Sequence, residues 1–309
     1  MAIYYDLNRL PEFRNAVITV GTFDGVHQGH RVILNEVIRN ARRAGGESVL
    51  ITFNPHPRKL LFPYQPLGIL TPLQAKLKLV QEAGIDHIVV VPFTPEFARM
   101  TVKDYIEKFL VSIFKPHSIV IGYDHRFGHD RLGDINTLRH YATRYDYNLV
   151  EIPAQLIDEA AVSSTRIRKT LKEGRVEEAA ALLGHSYAVT GKVVAGRQLG
   201  RTIGYPTANI ELTDKDQIMP ALGIYTVRVQ IDGVMYGGML SNGYNPTVTD
   251  KKEVKTEVNI FDFAADIYGR EIDILFLKKL RDEQKFNSLD ELKERLHRDK
   301  QESLAILAQ

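Results

Sequence analysis

Gly21-Thr22-Phe23-Asp24-Gly25-Val26-His27-Gln28-Gly29-His30 is the stretch on which the reading of this chain turns. Ahead of it runs Ala16-Val17-Ile18-Thr19-Val20, apolar and β-branched, the pattern of a buried strand. Behind it, Ile33, Val37 and Ala41 recur at four-residue spacing and predict a helix over 31–44. A glycine-punctuated loop therefore delivers two histidines to a helix start, where unpaired N–H groups and the positive end of the helix dipole favour phosphate. His27 and His30 share a face if the first turn begins near His27. An imidazole pair so placed can donate hydrogen bonds to a phosphate as negative charge builds on it. A tight turn would explain a bare H-x-G-H, but here the glycines, the strand and the helix agree. Zinc is a weaker reading, because two histidines do not complete a tetrahedral site and the chain has no cysteine.

The first half alternates strand and helix patterns. Apolar runs at 48–53, 87–92, 118–122 and 148–152 read as strands, and amphipathic segments at 73–83, 102–114 and 134–145 as helices. This order predicts a doubly wound parallel sheet, whose ligands bind beyond the carboxyl ends of the strands. The motifs follow those ends: the histidine loop, then Asn54-Pro55-His56-Pro57-Arg58, then Gly122-Tyr123-Asp124-His125-Arg126-Phe127-Gly128. Neither G-x-G nor a P-loop string occurs, so phosphate handling falls to other elements. Val162-Ser163-Ser164-Thr165-Arg166-Ile167-Arg168 predicts a helix capped by Ser164 or Thr165 and ended by Gly174. Its two arginines sit where the dipole disfavours cations unless an anion offsets them.

A short helix over 177–183 closes this half, and the domain boundary is expected at 184/185. Beyond it the texture changes to short alternating strands at 188–194, 225–229, 258–261 and 272–276, which predict a closed antiparallel barrel. An amphipathic helix over 289–307 ends the chain. Gly196-Arg197-Gln198-Leu199-Gly200-Arg201-Thr202-Ile203-Gly204-Tyr205-Pro206-Thr207-Ala208-Asn209 supplies glycines that let backbone approach phosphate. The Thr207 hydroxyl and the Asn209 amide oxygen are oxygen ligands of the kind Mg²⁺ accepts. A glycine-rich barrel corner is the plainer reading of such a string, and its length argues against chance. Glu257 and Asn259 fall on one face of a strand.

Bulk composition narrows the classes. The chain has 309 residues, room for two domains, with 44% hydrophobic and 25% charged residues. Forty Lys+Arg against 38 Asp+Glu leave a net charge of +2, no basis for a nucleic-acid partner. The absence of cysteine excludes disulfides and thiolate chemistry and fits a reducing cytoplasm. Residues 1–15 hold no apolar run resembling a signal peptide, and no stretch approaches about 20 apolar residues, so no membrane partner is expected. Nothing in the pattern specifies an oligomer.

The histidine string, T-F-x-P-H-P over 52–57, S-S-T-x-I-R over 163–168, the P-T-A-N string and K-T-E-V-N-I-F over 255–261 occur in the order found in prokaryotic bifunctional riboflavin kinase/FMN adenylyltransferases (FAD synthetases), which the chain resembles over nearly its whole length. The resemblance implies a Rossmann-like nucleotidyltransferase domain over 1–184 and a Greek-key barrel kinase domain with a terminal helix over 185–309. It implies His27 and His30 as catalytic, with Gly21, Phe23, Asp24, Gly25 and Gly29 shaping the nucleotide loop. Asn54, His56 and Asp124 would line the cleft; His125 stands where an aromatic is usual, and Ala161 where a polar residue is. Ser163, Ser164, Thr165 and Arg168 would hold the leaving pyrophosphate. In the kinase domain Gly196, Gly200, Arg201, Gly204, Pro206, Thr207 and Asn209 would bind ATP, Thr207 and Asn209 would hold Mg²⁺, and Glu257 would be the catalytic carboxylate. Arg281 falls in the matching L-R-D-E-Q-K-F stretch. The expected substrates are ATP, riboflavin and FMN, and the product FAD. The alternatives are a nucleotidyltransferase for another phosphorylated acceptor, with a non-catalytic flavin-binding barrel, and a flavin sensor without chemistry.

Overall fold

The apolar run before the histidines forms β2 (Val17–Val20), buried along its whole length. In the computed structural model, which describes residues 2–154, 163–196, 200, 203–244 and 254–309, it lies inside a six-stranded sheet. Its neighbours are β1 (Ala2–Tyr4), β3 (Ser48–Asn54), β4 (His87–Pro92), β5 (Ser118–Gly122) and β6 (Asn148–Ile152), in the order β1-β4-β3-β2-β5-β6. Every pairing is parallel. The five expected strands appear within a residue of their expected bounds. β1, three residues at the sheet edge, is too short to show a period.

Alternate residues of each strand bury opposite faces. Ile18, Val20, Val49, Ile51, Val89, Val91, Ile119 and Ile121 join one core with Tyr105, Phe109, Phe114 and Leu138. Val17, Leu50, Ile88, Val90 and Val120 join the other with Leu34, Val37, Ala41, Leu77 and Val80. Helices therefore cover both faces, the doubly wound arrangement that a βαβ order requires. The segment 102–114 is helical throughout but widens to a π-helix over Tyr105–Val111, with Tyr105, Ile106, Phe109 and Leu110 all buried.

The chain divides into two compact units, residues 1–67 with 71–163, and residues 68–70 with 164–309. The second unit opens with helices Ser164–Lys172 and Val176–Leu183. Gly174 and Gly184, at φ 76° and 77°, follow them in the left-handed conformation that ends helices. The first helix starts at Ser164 itself, so neither Ser164 nor Thr165 is its cap, and Ser163 takes the flanking position. Residues 68–70 join this unit through backbone bonds: the Ile69 N–H donates to the Asp216 carbonyl at 2.8 Å, and the Ile218 N–H to the Ile69 carbonyl at 2.9 Å.

The rest is a closed antiparallel barrel of β7 (Ala188–Val194), β8 (Ala208–Leu212), β9 (Gly223–Ile231), β10 (Val234–Tyr244), β11 (Val254–Ile260) and β12 (Glu271–Arg281), ordered β10-β11-β8-β7-β12-β9. Val189, Val193, Val227, Val229, Leu240, Val258, Ile272, Ile274 and Phe276 are buried at the alternating positions. β8 and β10 were not expected as strands: one grows out of the P-T-A-N string, and the other carries Gly237, Gly238 and Gly243. Gly237 has a packing reason, since a Cβ there would meet Leu307 Cδ1 at 2.5 Å, where the terminal helix Leu289–Leu307 crosses the barrel.

Candidate active sites

The strand order places the histidine loop. From β2 the chain moves to β3 and β4 on one side, and β5 lies on the other, so β2 sits at the switch of direction where such sheets bind ligands. Phe23 and Val26 take φ of 47° and 40° and Gly25 93°, a tight left-handed turn that brings His27 to the helix start. The helix runs Gln28–Arg43 with His27 as its N-cap, the Nδ1 accepting from the His30 N–H at 3.3 Å. The imidazoles of His27 and His30 stack with ring centres 3.6 Å apart and planes at 15°. Phe23 backs them, its ring centre 4.9 Å from that of His30. Asp24, buried, accepts from the Thr71 N–H at 3.0 Å. Gly21 lies against the Phe23 ring, and Gly29 is buried inside the helix.

His30 resists protonation. Burial, then the positive potentials of His27 and Lys76, hold its pKa well below the usual imidazole value. Its Nδ1 is buried with no hydrogen-bond partner. Lys76 was not among the expected residues. It lies in helix Leu73–Glu82, 5% exposed, and its Nζ donates to the Thr22 carbonyl and to Thr52 Oγ1, both at 3.0 Å. Burial brings its pKa down to about 8 against the opposing pull of Asp24. The signal was present in the sequence: Leu73, Lys76, Leu77 and Val80 share one helix face, and a lysine on the apolar stripe needs a reason.

The two other loops leave the carboxyl ends of β3 and β5, the strands flanking β2. Asn54 is exposed at the end of β3 and precedes a cis peptide to Pro55; His56 caps a short helix Pro57–Leu61, its Nδ1 accepting from the Arg58 N–H. Asp124 is exposed in the turn after β5. His125 faces Phe127, ring centres 5.8 Å apart, and burial, with help from Arg131 and against Asp124, pushes its pKa down to about 4. The position keeps aromatic packing while carrying an imidazole.

In the barrel, antiparallel register pairs Asn209 of β8 with Glu257 of β11. Thr207 Oγ1 donates to Glu257 Oε2 at 3.1 Å. Gly196 faces the Asn209 side chain so closely that any Cβ would collide with its amide, which explains the glycine. Gly200 has the same cause, since the Tyr205 N–H donates to its carbonyl at 2.8 Å and a Cβ would strike the Tyr205 carbonyl; Gly204 turns at φ 85°. Asn259 donates to the Pro206 carbonyl at 2.6 Å and so anchors the strand entry before Thr207. Thr207, Asn209 and Glu257 thus form one oxygen-rich cluster. Arg201 lies outside the described residues, as do Arg197 and Ala161.

Arg281 stands apart from that cluster. It is three strands away from Glu257 in either direction around the six-stranded barrel. Its guanidinium grips Asp299 of the terminal helix, with Nε at 3.1 Å from both carboxylate oxygens and Nη2 at 2.7 Å from one. Arg168, in the first helix of the same unit, donates through Nε to the Gly68 carbonyl at 2.7 Å.

Two family models cover the chain, FAD synthetase over residues 10–166 and riboflavin kinase over 183–307. A bifunctional riboflavin kinase/FMN adenylyltransferase from Listeria monocytogenes is 36% identical over 296 residues, 95% of this chain and 93% of that protein. The enzyme of that name from Bacillus subtilis is 34% identical, covering 95% and 93%. A crystal structure described as a macrolide-efflux protein from Streptococcus pneumoniae superposes with a TM-score of 0.86 at 33% identity over 97% of each chain. With matching domains in the same order and relatives aligned almost end to end, the chain belongs to the family of bifunctional riboflavin kinase/FMN adenylyltransferases.

Proposed function

We propose that the chain carries out two successive ATP-dependent reactions in the cytoplasm, riboflavin to FMN in residues 185–309 and FMN to FAD with release of pyrophosphate in residues 1–184. The observation that carries this reading is that one chain holds a stacked imidazole pair at a helix start and, on its barrel, a Thr–Asn–Glu cluster. The efflux description belongs to the S. pneumoniae structure, whereas two family models and full-length relatives support flavin chemistry here.

In the kinase step Glu257 accepts the proton of the ribityl 5′-hydroxyl as that oxygen attacks the γ-phosphorus of ATP, and ADP leaves. Thr207 holds the carboxylate in place. The donor set suits Mg²⁺, since Thr207 and Asn209 add neutral oxygens beside a carboxylate. Bound there, Mg²⁺ would neutralise charge on the ATP phosphates. In the second step a phosphate oxygen of FMN attacks the α-phosphorus of another ATP. Imidazole N–H groups of His27 and His30 donate to the negative charge that develops there. Gly21, Phe23, Asp24, Gly25 and Gly29 shape that loop, and Asn54, His56 and Asp124 line the cleft. The resemblance assigns Ser163, Ser164, Thr165 and Arg168 to the departing pyrophosphate, and Gly196, Gly200, Arg201, Gly204 and Pro206 to ATP in the kinase step.

Incubation with riboflavin, ATP and Mg²⁺, followed by chromatography, tests the reading. FMN should appear first and FAD after it. FMN without FAD would leave only the kinase assignment standing. A fragment of residues 185–309 should make FMN and no FAD; a folded but inactive fragment would overturn the division at 184/185.

A further inference from the structure

Lys76 is the buried cation that the two reactions above leave unused. Its helix belongs to one face of the sheet, yet its ammonium reaches across to the loop between β2 and the histidine helix. The hydrogen bonds it makes are specific. One goes to the carbonyl of Thr22, the second residue after β2, and the other to the hydroxyl of Thr52, which itself donates to the Thr22 carbonyl at 3.3 Å. Three elements therefore meet at one nitrogen, which is costly to bury and so unusual as a purely structural choice.

We propose that Lys76 is a positioning residue for adenylyl transfer: its ammonium ties the loop backbone at Thr22 to Thr52 on β3 and keeps the stacked imidazoles at the helix start in place. This rests on the reading of the histidine pair as the adenylyl-transfer site. The ammonium acts in two ways. The first is mechanical. Thr22 precedes Phe23 and Asp24, so fixing its carbonyl fixes the left-handed turn that aims His27 and His30, and displacement by about 1 Å can cost about 10²-fold in rate. The second is electrostatic. The charged or titratable groups acting on His30 are His27 within its own stack and Lys76 from the facing helix, both positive when protonated, while Asp24 acts on Lys76. Lys76 therefore opposes a proton on His30. Two cationic rings 3.6 Å apart would repel, so a neutral His30 is what allows the stack to persist.

The test uses the full chain with Lys76→Met, which removes tie and charge, and Lys76→Gln, which keeps an N–H donor for the Thr22 carbonyl but no charge. Steady-state FMN adenylylation is measured across pH 5 to 9, the titration of His30 is followed by imidazole NMR, and riboflavin phosphorylation in the same samples is the reference. Lys76→Met should lower kcat for FAD formation about 10- to 100-fold with KM for FMN close to wild type. In both variants the His30 midpoint should rise toward its ordinary value, carrying the acid limb of the rate profile with it. Lys76→Gln should recover part of kcat but not the pH limb. If Lys76→Met does not fold, Lys76→Gln decides alone. Folded variants with wild-type kcat and an unmoved His30 midpoint overturn the proposal while FAD formation by the wild type stands. A wild-type chain that makes no FAD overturns instead the reading of the site, and the proposal with it.

Discussion

Thr207 Oγ1 donates to Glu257 Oε2 across 3.1 Å, joining the P-T-A-N string to a residue fifty positions later. The bond engages Oε2, one of the two carboxylate oxygens. Glu257→Gln preserves size and can still accept from Thr207 through its amide oxygen, but it cannot take a proton. Kinase turnover should fall by at least about 10²-fold with riboflavin binding retained, as measured by single-turnover kinetics and equilibrium titration. Adenylylation of supplied FMN should be unchanged in the same protein. Normal turnover would remove Glu257 as the base.

His30→Ala deletes one donor of the stacked pair and leaves the His27 cap able to accept from the residue 30 N–H. FAD formation should drop by about 10²–10³ while FMN formation stays near normal, read from product ratios over time. Loss of both products from a folded variant would contradict two independent centres.

Acid should weaken the first unit through its imidazoles. His125 has a folded pKa of about 4 against an unfolded value near 6.5, so below about pH 6.5 the unfolded chain binds a proton that the folded chain does not. Stability is therefore lost as pH falls through that window, by up to about 3 kcal/mol from this group. His125→Phe should flatten the fall in melting temperature between pH 7 and 4.5. A variant as acid-labile as the wild type would assign the effect elsewhere, His30 being the next candidate, with its pKa shifted in the same direction.

Asp299 is fully buried and meets both Arg281 and Arg295, the latter at 2.9 Å. Asp299→Ala would leave Arg281 without its carboxylate and Arg295 with Glu302 alone, at 3.7 Å. Removing one partner of a buried ion pair typically costs about 3–5 kcal/mol, which should show as a lower urea midpoint for the second unit. An unchanged midpoint would mean that water solvates the arginines there.

Much of this molecule is legible in its sequence, and the gaps have physical causes. Parallel strands buried on both faces read as plain apolar runs, and the terminal helix Leu289–Leu307 matches its expected bounds. β10 is hidden because Gly237, Gly238 and Gly243 erase the alternation that marks a strand, and β1 because three residues hold no period. The histidine pair is legible because its glycines leave the backbone few choices. Lys76 is legible only as a lysine on an apolar stripe with Leu73, Leu77 and Val80; what its ammonium meets is set by the fold. The pairing of Arg281 with Asp299 is equally hidden, being set by where the helix crosses the barrel rather than by sequence spacing.

The cap at His27 has one more consequence. Because its Nδ1 accepts the His30 N–H, that nitrogen carries no proton, and the neutral ring must be the Nε2–H tautomer. The helix start thereby fixes Nε2 as the protonated nitrogen of neutral His27. Folding and chemistry are then separable at this position: asparagine or serine caps a helix equally well, yet neither restores an imidazole N–H once the cap has oriented the ring.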